Sequence, residues 1–170
     1  MNLVRSRDYW KSLGYYFTAA FILLCTFADA YARSTFIFND VTKETGITFI
    51  HTDGGSGQRY IMETVSAGLA LFDYDGDGYT DIYFLNGSPL KGANDNDIPR
   101  NKLYRNEGGW RFKDVTEKAG VGDKGYGLGV AVGDYDNDGD QDIYLNNYGP
   151  NVLYRNNSNG TLWVDRLARD

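Results

Sequence analysis

The feature that most constrains this fold is an acidic segment that occurs twice, each time running into a short apolar and aromatic stretch. The copies read FDYDGDGYTDIYFLNG and GDYDNDGDQDIYLNNYG. Other segments repeat in the same order around them. The paired segments are Phe72–Gly87 with Gly133–Gly149, Asn39–Phe49 with Lys113–Asp123, and Asn101–Val115 with Asn151–Asp165. Ordered self-similarity of this kind predicts an array of similar structural units.

The spacing between the paired segments predicts a unit of about 50–60 residues, near the length of one four-stranded propeller blade. Within each unit, short runs rich in β-branched and aromatic residues alternate with Gly, Asp and Asn. Tyr, Phe and Trp supply 15% of the chain, which has 21 Gly and 3 Pro. The expected fold class is therefore all-β, with about two four-stranded blades of an incomplete β-propeller.

The strand candidates follow from this pattern. In the first unit they are Gly68–Phe72, Asp81–Asn86, Lys102–Asn106 and Trp110–Thr116, and in the second they include Gly127–Gly133, Asp142–Asn147 and Val152–Asn156. The predicted repeat region is 33–166, with one unit at about 36–116 and the other at about 117–166. Since a closed propeller takes at least four blades, we expect this chain to be a fragment of a longer propeller.

The N-terminus has the layout of a secretory signal peptide. A basic start, MNLVRSRDYWK, precedes the uncharged apolar run Tyr15–Ala28, and Ala30 and Ala32 then give a small-x-small pattern. The apolar run is shorter than the roughly 20 residues of a membrane span. We expect a cleaved signal over residues 1–32, with cleavage near Ala32–Arg33. The mature chain would be secreted, either extracellular or periplasmic, with no membrane span.

The formal net charge of −6 argues against binding to nucleic acid, whose phosphates require a basic surface. The acidic residues are instead concentrated at regular positions in the two loops. Counting from the first Asp of each loop, carboxylates occupy positions 1, 3, 5 and 9, and Gly occupies position 6. These carboxylates are Asp73, Asp75, Asp77 and Asp81 in the first loop, and Asp134, Asp136, Asp138 and Asp142 in the second.

This spacing predicts a cation site in each loop. Side chains at positions 1, 3 and 5 converge if the chain bends at the Gly, and an all-oxygen set favours Ca²⁺ over Mg²⁺. The alternative is a solvated acidic turn that binds nothing, which the second copy makes less favourable. An EF-hand is excluded because position 12 is Phe84 in one loop and Leu145 in the other, where that motif needs Glu.

The segments SAGLALFDYDGDGYTDIYFLNG and YGLGVAVGDYDNDGDQDIYLNN resemble the FG-GAP or VCBS repeat, the calcium-loop blade of integrin α-type β-propellers. The LYRN and DVT…AGV elements resemble the secreted branch related to the cartilage acidic and ASPIC/UnbV proteins. The resemblance covers roughly residues 36–166. It implies one Ca²⁺ per loop, held by Asp73, Asp75, Asp77, the Tyr79 carbonyl and Asp81, and by Asp134, Asp136, Asp138, the Asp140 carbonyl and Asp142.

The expected function is a secreted binding module in which calcium is structural and an extracellular protein or glycan is the partner. No catalytic constellation is visible: the one histidine, His51, stands beside Asp53 in a Gly-rich loop, and no G-x-S-x-G elbow occurs. We therefore expect no enzymatic activity from this chain. Two alternatives remain open, the non-catalytic propeller portion of a larger secreted enzyme and a structural array without a specific partner.

Overall fold

The computed structural model describes residues 36–55, 57–65, 68–90 and 99–165. The chain divides into two units, Met1–Asp40 and Val41–Asp170. In the first unit the described residues 36–40 have no regular secondary structure. The predicted signal peptide lies outside the described residues. Among those that are described, no helix has the length and apolarity required to cross a membrane.

The second unit contains two four-stranded antiparallel sheets, each with its strands in sequential order. The first sheet consists of β1 (Leu69–Phe72), β2 (Asp81–Phe84), β3 (Lys102–Asn106) and β4 (Phe112–Asp114). The second consists of β5 (Tyr126–Gly133), β6 (Asp142–Tyr148), β7 (Val152–Asn156) and β8 (Leu162–Asp165). The all-β prediction with blade-like sheets is confirmed.

Each acidic segment forms the loop of the first hairpin of its sheet. Phe72 pairs with Asp81 at the end of the β1–β2 ladder, and Gly133 pairs with Asp142 at the end of the β5–β6 ladder. The pairing register thus closes both loops at equivalent residues. Both loops close at equivalent residues because they have the same length, and loop length fixes the register of a hairpin.

The core lies between the two sheets. Side chains alternate between the faces of a strand, so every second residue of each sheet faces the other sheet. The most deeply buried apolar side chains of this core, all at most 3% exposed, are Tyr74, Tyr83, Leu85, Leu103, Ala119, Val121, Ile143, Leu145, Tyr154 and Leu162. Burying these residues removes a large apolar area from water, which is the main force that holds one sheet on the other.

Two one-turn helices occupy equivalent places, α1 (Thr42–Thr45) and α2 (Thr116–Ala119). Each ends at a glycine in the left-handed region, Gly46 with φ 78° and Gly120 with φ 77°. A β-carbon on Gly46 would lie 3.0 Å from the Phe112 carbonyl oxygen, and one on Gly120 would lie 3.1 Å from that of Leu162. Both helices therefore end against the outer strand of a sheet.

The segment that precedes β1 is an insertion in the first sequence repeat and is connected to the second sheet by hydrogen bonds. It contains a 3₁₀ helix, Ile61–Thr64. The Tyr126 hydroxyl donates to the Asp53 carbonyl at 2.6 Å and lies 3.0 Å from the Met62 carbonyl oxygen. The sequence did not predict these two Tyr126 contacts.

Candidate metal sites in the two acidic loops

The Asp at position 1 organises the turn of each loop. The Asp73 carboxylate accepts hydrogen bonds from the backbone N–H groups of Asp77 (3.1 Å) and Gly78 (2.8 Å). Asp134 does the same in the second loop, at 3.1 Å from Asp138 N and 3.0 Å from Gly139 N. The Gly at position 6 has a φ of 86° in the first loop and 97° in the second, which disfavours any residue with a β-carbon.

The Asp at position 9 connects each loop to the rest of its sheet. Asp81 is fully buried, and it accepts from Tyr74 N at 3.0 Å and from Asn106 N at 2.7 Å. Asp142 is 2% exposed and accepts from Tyr135 N at 3.0 Å and Asn156 N at 2.8 Å. In each sheet, the position-9 carboxylate therefore joins the start of the loop to the end of the third strand.

Positions 5 and 7 are related by a short turn. The Asp77 carboxylate accepts from Tyr79 N at 2.9 Å, and the Asp138 carboxylate accepts from Asp140 N at 3.1 Å. The Asp140 carboxylate also accepts a hydrogen bond from the Ser158 hydroxyl. The carbonyl groups of Tyr79 and Asp140 remain predicted ligands.

Carboxylate oxygens converge in both loops. Oxygens of Asp73, Asp75 and Asp81 lie within 4.8 Å of one another, and so do oxygens of Asp134, Asp136 and Asp138. Two oxygens bound to one Ca²⁺ at about 2.3–2.6 Å can be at most about 5 Å apart, so these separations fit a shared ion. That all five predicted ligands of each loop bind one ion remains a prediction.

One oxygen of the first loop is available for a ligand. Oδ1 of Asp75 is buried and has no hydrogen-bond partner within the described part of the chain. A buried carboxylate oxygen without a partner is costly, because it loses its hydration and gains nothing in return. A cation bound among Asp73, Asp75 and Asp81 would satisfy it, and the hard oxygen donors suit Ca²⁺.

The pKa values express the same cost. Burial raises the pKa of Asp81 to about 6, although the hydrogen bonds that its carboxylate accepts from two backbone N–H groups act in the opposite direction. Lost hydration, followed by the neighbouring Asp77 carboxylate, raises the pKa of Asp75, and Arg105 opposes the rise. In the second loop, lost hydration and the Asp138 carboxylate raise the pKa of Asp136. Negative charge is thus unfavourable at these carboxyls, and a nearby dication would favour it.

An arginine from the third strand contacts each loop. Arg105 Nη1 lies 3.6 Å from Asp75 Oδ2. Arg155 Nε lies 2.9 Å from Asp136 Oδ2, and its Nη2 lies 3.5 Å from Asp138 Oδ2. The sequence analysis assigned the LYRN motif to a strand only and missed these contacts. The available signal was that Arg and Asn recur together in both copies of the motif.

The two acidic loops and their hairpins occur in other proteins. Residues 73–145, which include both acidic loops and the strands β2 to β5, match the family described as FG-GAP-like repeat. This part of the chain is similar to an FG-GAP-like repeat. The chain is also similar to cartilage acidic protein 1 of Xenopus tropicalis, with 34% identity over 112 residues. That alignment covers 64% of this chain and only 17% of the relative's length. The predicted resemblance is confirmed.

Other features of the chain lie away from the two acidic loops. His51 is exposed, and the neighbouring Asp53 carboxylate accepts from Gly55 N in its own turn at 2.8 Å. An open, mainly apolar cleft of about 450 Å³ is lined by Tyr60, Ile61, Met62, Leu90 and Tyr148. Tyr148 ends β6, whereas Asp142 begins it, so the cleft and the second acidic loop are at opposite ends of that strand.

Proposed function

We propose that this chain is a secreted calcium-binding FG-GAP module in which each acidic loop holds one structural Ca²⁺. The observation that carries the proposal is the convergence of three carboxylates in each of two equivalent loops, within 4.8 Å. The buried, unpartnered Oδ1 of Asp75 supports it for the first loop. Asp73 and Asp134 would bind the ion through oxygens that their backbone hydrogen bonds already orient.

Bound calcium would supply the positive charge that these carboxylates lack. The chain itself provides the rest: the position-1 Asp fixes the turn, and the position-9 Asp connects the loop to the third strand. Extracellular calcium modules typically have a Kd of about 10⁻⁴–10⁻³ M, which matches a calcium-rich medium. Calcium would therefore stabilise the hairpins rather than take part in a reaction.

We also propose that the module is not an enzyme and binds an extracellular protein or glycan. The exposed cleft supports the binding role, because Tyr60 and Tyr148 on its walls are 40% and 59% exposed. Exposed aromatic rings suit contact with a sugar or an apolar side chain. Binding of the secreted chain to immobilised glycans and matrix proteins, compared with that of Tyr148→Ala, tests the assignment. Equal binding by both proteins would show that the cleft is not the binding site.

The calcium proposal is tested by thermal unfolding of the full chain in EGTA and at rising calcium concentration. A ligand present at 10 to 100 times its Kd stabilises the native state by about 1.4–2.7 kcal/mol. We expect calcium to raise the melting temperature by the amount that corresponds to this gain in unfolding free energy, and to increase resistance to protease. An unchanged melting temperature up to 10 mM calcium would reject calcium binding.

The ligand assignment needs its own variants. Asp75→Asn combined with Asp136→Asn should abolish the calcium response, since it removes the position-3 ligand from both loops. Asp114→Asn is the matched control: it removes an acidic residue on β4 that pairs with Lys102 at 2.9 Å, outside both loops. The control should retain the wild-type response. A double variant that still responds to calcium would show that other groups bind it.

A further inference from the structure

We propose that Arg105 and Arg155 act as internal counter-ions, which hold the position-3 carboxylates when calcium is absent and lower the affinity of each loop for the ion. The inference rests on the proposed calcium binding and adds two residues that regulate it. Arg105 lies on β3 and Arg155 on β7, at equivalent places in the repeated LYRN motif. Each contacts the third residue of its loop, Asp75 or Asp136.

The geometry makes the arginines competitors of a metal ion. The oxygens that Arg155 contacts, Oδ2 of Asp136 and Oδ2 of Asp138, belong to carboxylates that would bind calcium. A guanidinium provides one positive charge without binding in the centre of the loop, so it reduces carboxylate repulsion there. When calcium binds, the arginine must release these oxygens or remain beside a dication, and either event costs affinity.

The two loops differ in how strongly the arginine acts. Arg155 is engaged with two carboxylates of its loop, at 2.9 Å and 3.5 Å. Arg105 contacts Asp75 at 3.6 Å and also lies 3.4 Å from Glu107, which is outside the loop. Arg105 leaves the other Asp75 oxygen without a partner. We therefore infer stronger competition in the second loop than in the first.

The test measures calcium binding to the full chain by isothermal titration calorimetry, with melting temperature in EGTA as a second readout. Arg155→Gln should tighten calcium binding at one site on the order of tenfold, because a repelling charge a few ångströms from the ion is removed. The same variant should melt at a lower temperature in EGTA. Arg105→Gln should change both values in the same direction by a smaller factor.

Two controls separate the charge from other effects. Arg100→Gln removes the same charge from a residue that pairs with Glu117, away from the loops, and should leave calcium affinity within about twofold of wild type. Arg155→Lys keeps the charge and should stay closer to wild type than Arg155→Gln.

The outcomes distinguish this inference from the function on which it rests. Wild-type protein that binds no calcium would overturn both. If wild-type protein binds calcium but Arg155→Gln binds it equally or more weakly, the counter-ion role is wrong and the proposed function stands. Weaker binding in Arg155→Gln would mean that the arginine positions the carboxylates for the metal instead of competing with it.

Discussion

The two acidic loops have the same internal hydrogen bonds but different surroundings. Tyr74, at position 2 of the first loop, is 2% exposed, whereas Tyr135 at the same position of the second is 47% exposed. The second sheet causes the difference, because it lies against the first loop: Asn156 Nδ2 donates to the Tyr74 carbonyl at 2.8 Å. A loop motif therefore determines its own shape, and a neighbouring sheet determines how far it is removed from water.

The sheets show the same asymmetry. Tyr83 and Leu103 of the first sheet are fully buried against the second. Their equivalents on the second sheet are Tyr144, which is 39% exposed, and Leu153, which is half-buried. Equal sequence at two places thus gives unequal contributions to stability. Matched substitutions at paired positions can measure the inequality directly.

The largest contrast is expected between Tyr83→Ala and Tyr144→Ala. Tyr83 fills the space between the sheets, and its hydroxyl donates to the Val121 carbonyl at 2.7 Å. Truncating a buried aromatic residue costs about 3–5 kcal/mol of unfolding free energy, whereas Tyr144→Ala should cost about 1 kcal/mol or less. Urea unfolding of both variants provides the measurement. Losses of equal size would show that the second sheet does not cover the first in solution.

A medium contrast is expected between Asn156→Ala and Asn106→Ala, the paired asparagines of the LYRN motif. Asn156 is 2% exposed and bonds across to Tyr74, whereas Asn106 Nδ2 donates within its own sheet, to the Thr80 carbonyl at 3.1 Å. Losing a buried hydrogen-bonding group costs about 1–3 kcal/mol. Asn156→Ala should fall in this range, and Asn106→Ala should lie below it.

Chemical denaturation with two independent probes gives both values. A greater loss for Asn106→Ala would indicate that the bonds within each sheet matter more than the bond between the sheets.

The smallest contrast in stability is expected between Tyr74→Phe, which should be stabilising, and Tyr135→Phe, which should not. The Tyr74 hydroxyl is buried without a hydrogen-bond partner in the described part of the chain, and burial raises its pKa to about 12. Removing it should raise stability by up to about 1 kcal/mol. The Tyr135 hydroxyl donates to Asp165, so its removal should give no gain. Differential scanning calorimetry resolves the two, and a loss in Tyr74→Phe would reveal an unrecognised partner.

Much of the local structure could be predicted from the sequence. Both hairpins and their strands appear as expected, because spacing, alternation and Gly positions act over short distances. The predicted strand ends were less accurate. The strand expected to reach Asn86 ends at Phe84. The backbone N–H of Asn86 donates instead to the side-chain oxygen of Asn101 at 2.7 Å. The domain boundaries and complete ligand sets stay predictions.

The sequence by itself determined the repeat and the all-β class, because both follow from the ordered self-similarity and from short runs of β-branched and aromatic residues. The positions of Asp and Gly within nine residues and the hydrogen bonds inside the same turn shape each acidic loop. Only the tertiary structure decided which copy is buried and which arginine meets which acid, because these depend on residues distant in sequence. Asn156 and Tyr74, 82 positions apart, meet only when the sheets pack, and no local pattern records that contact.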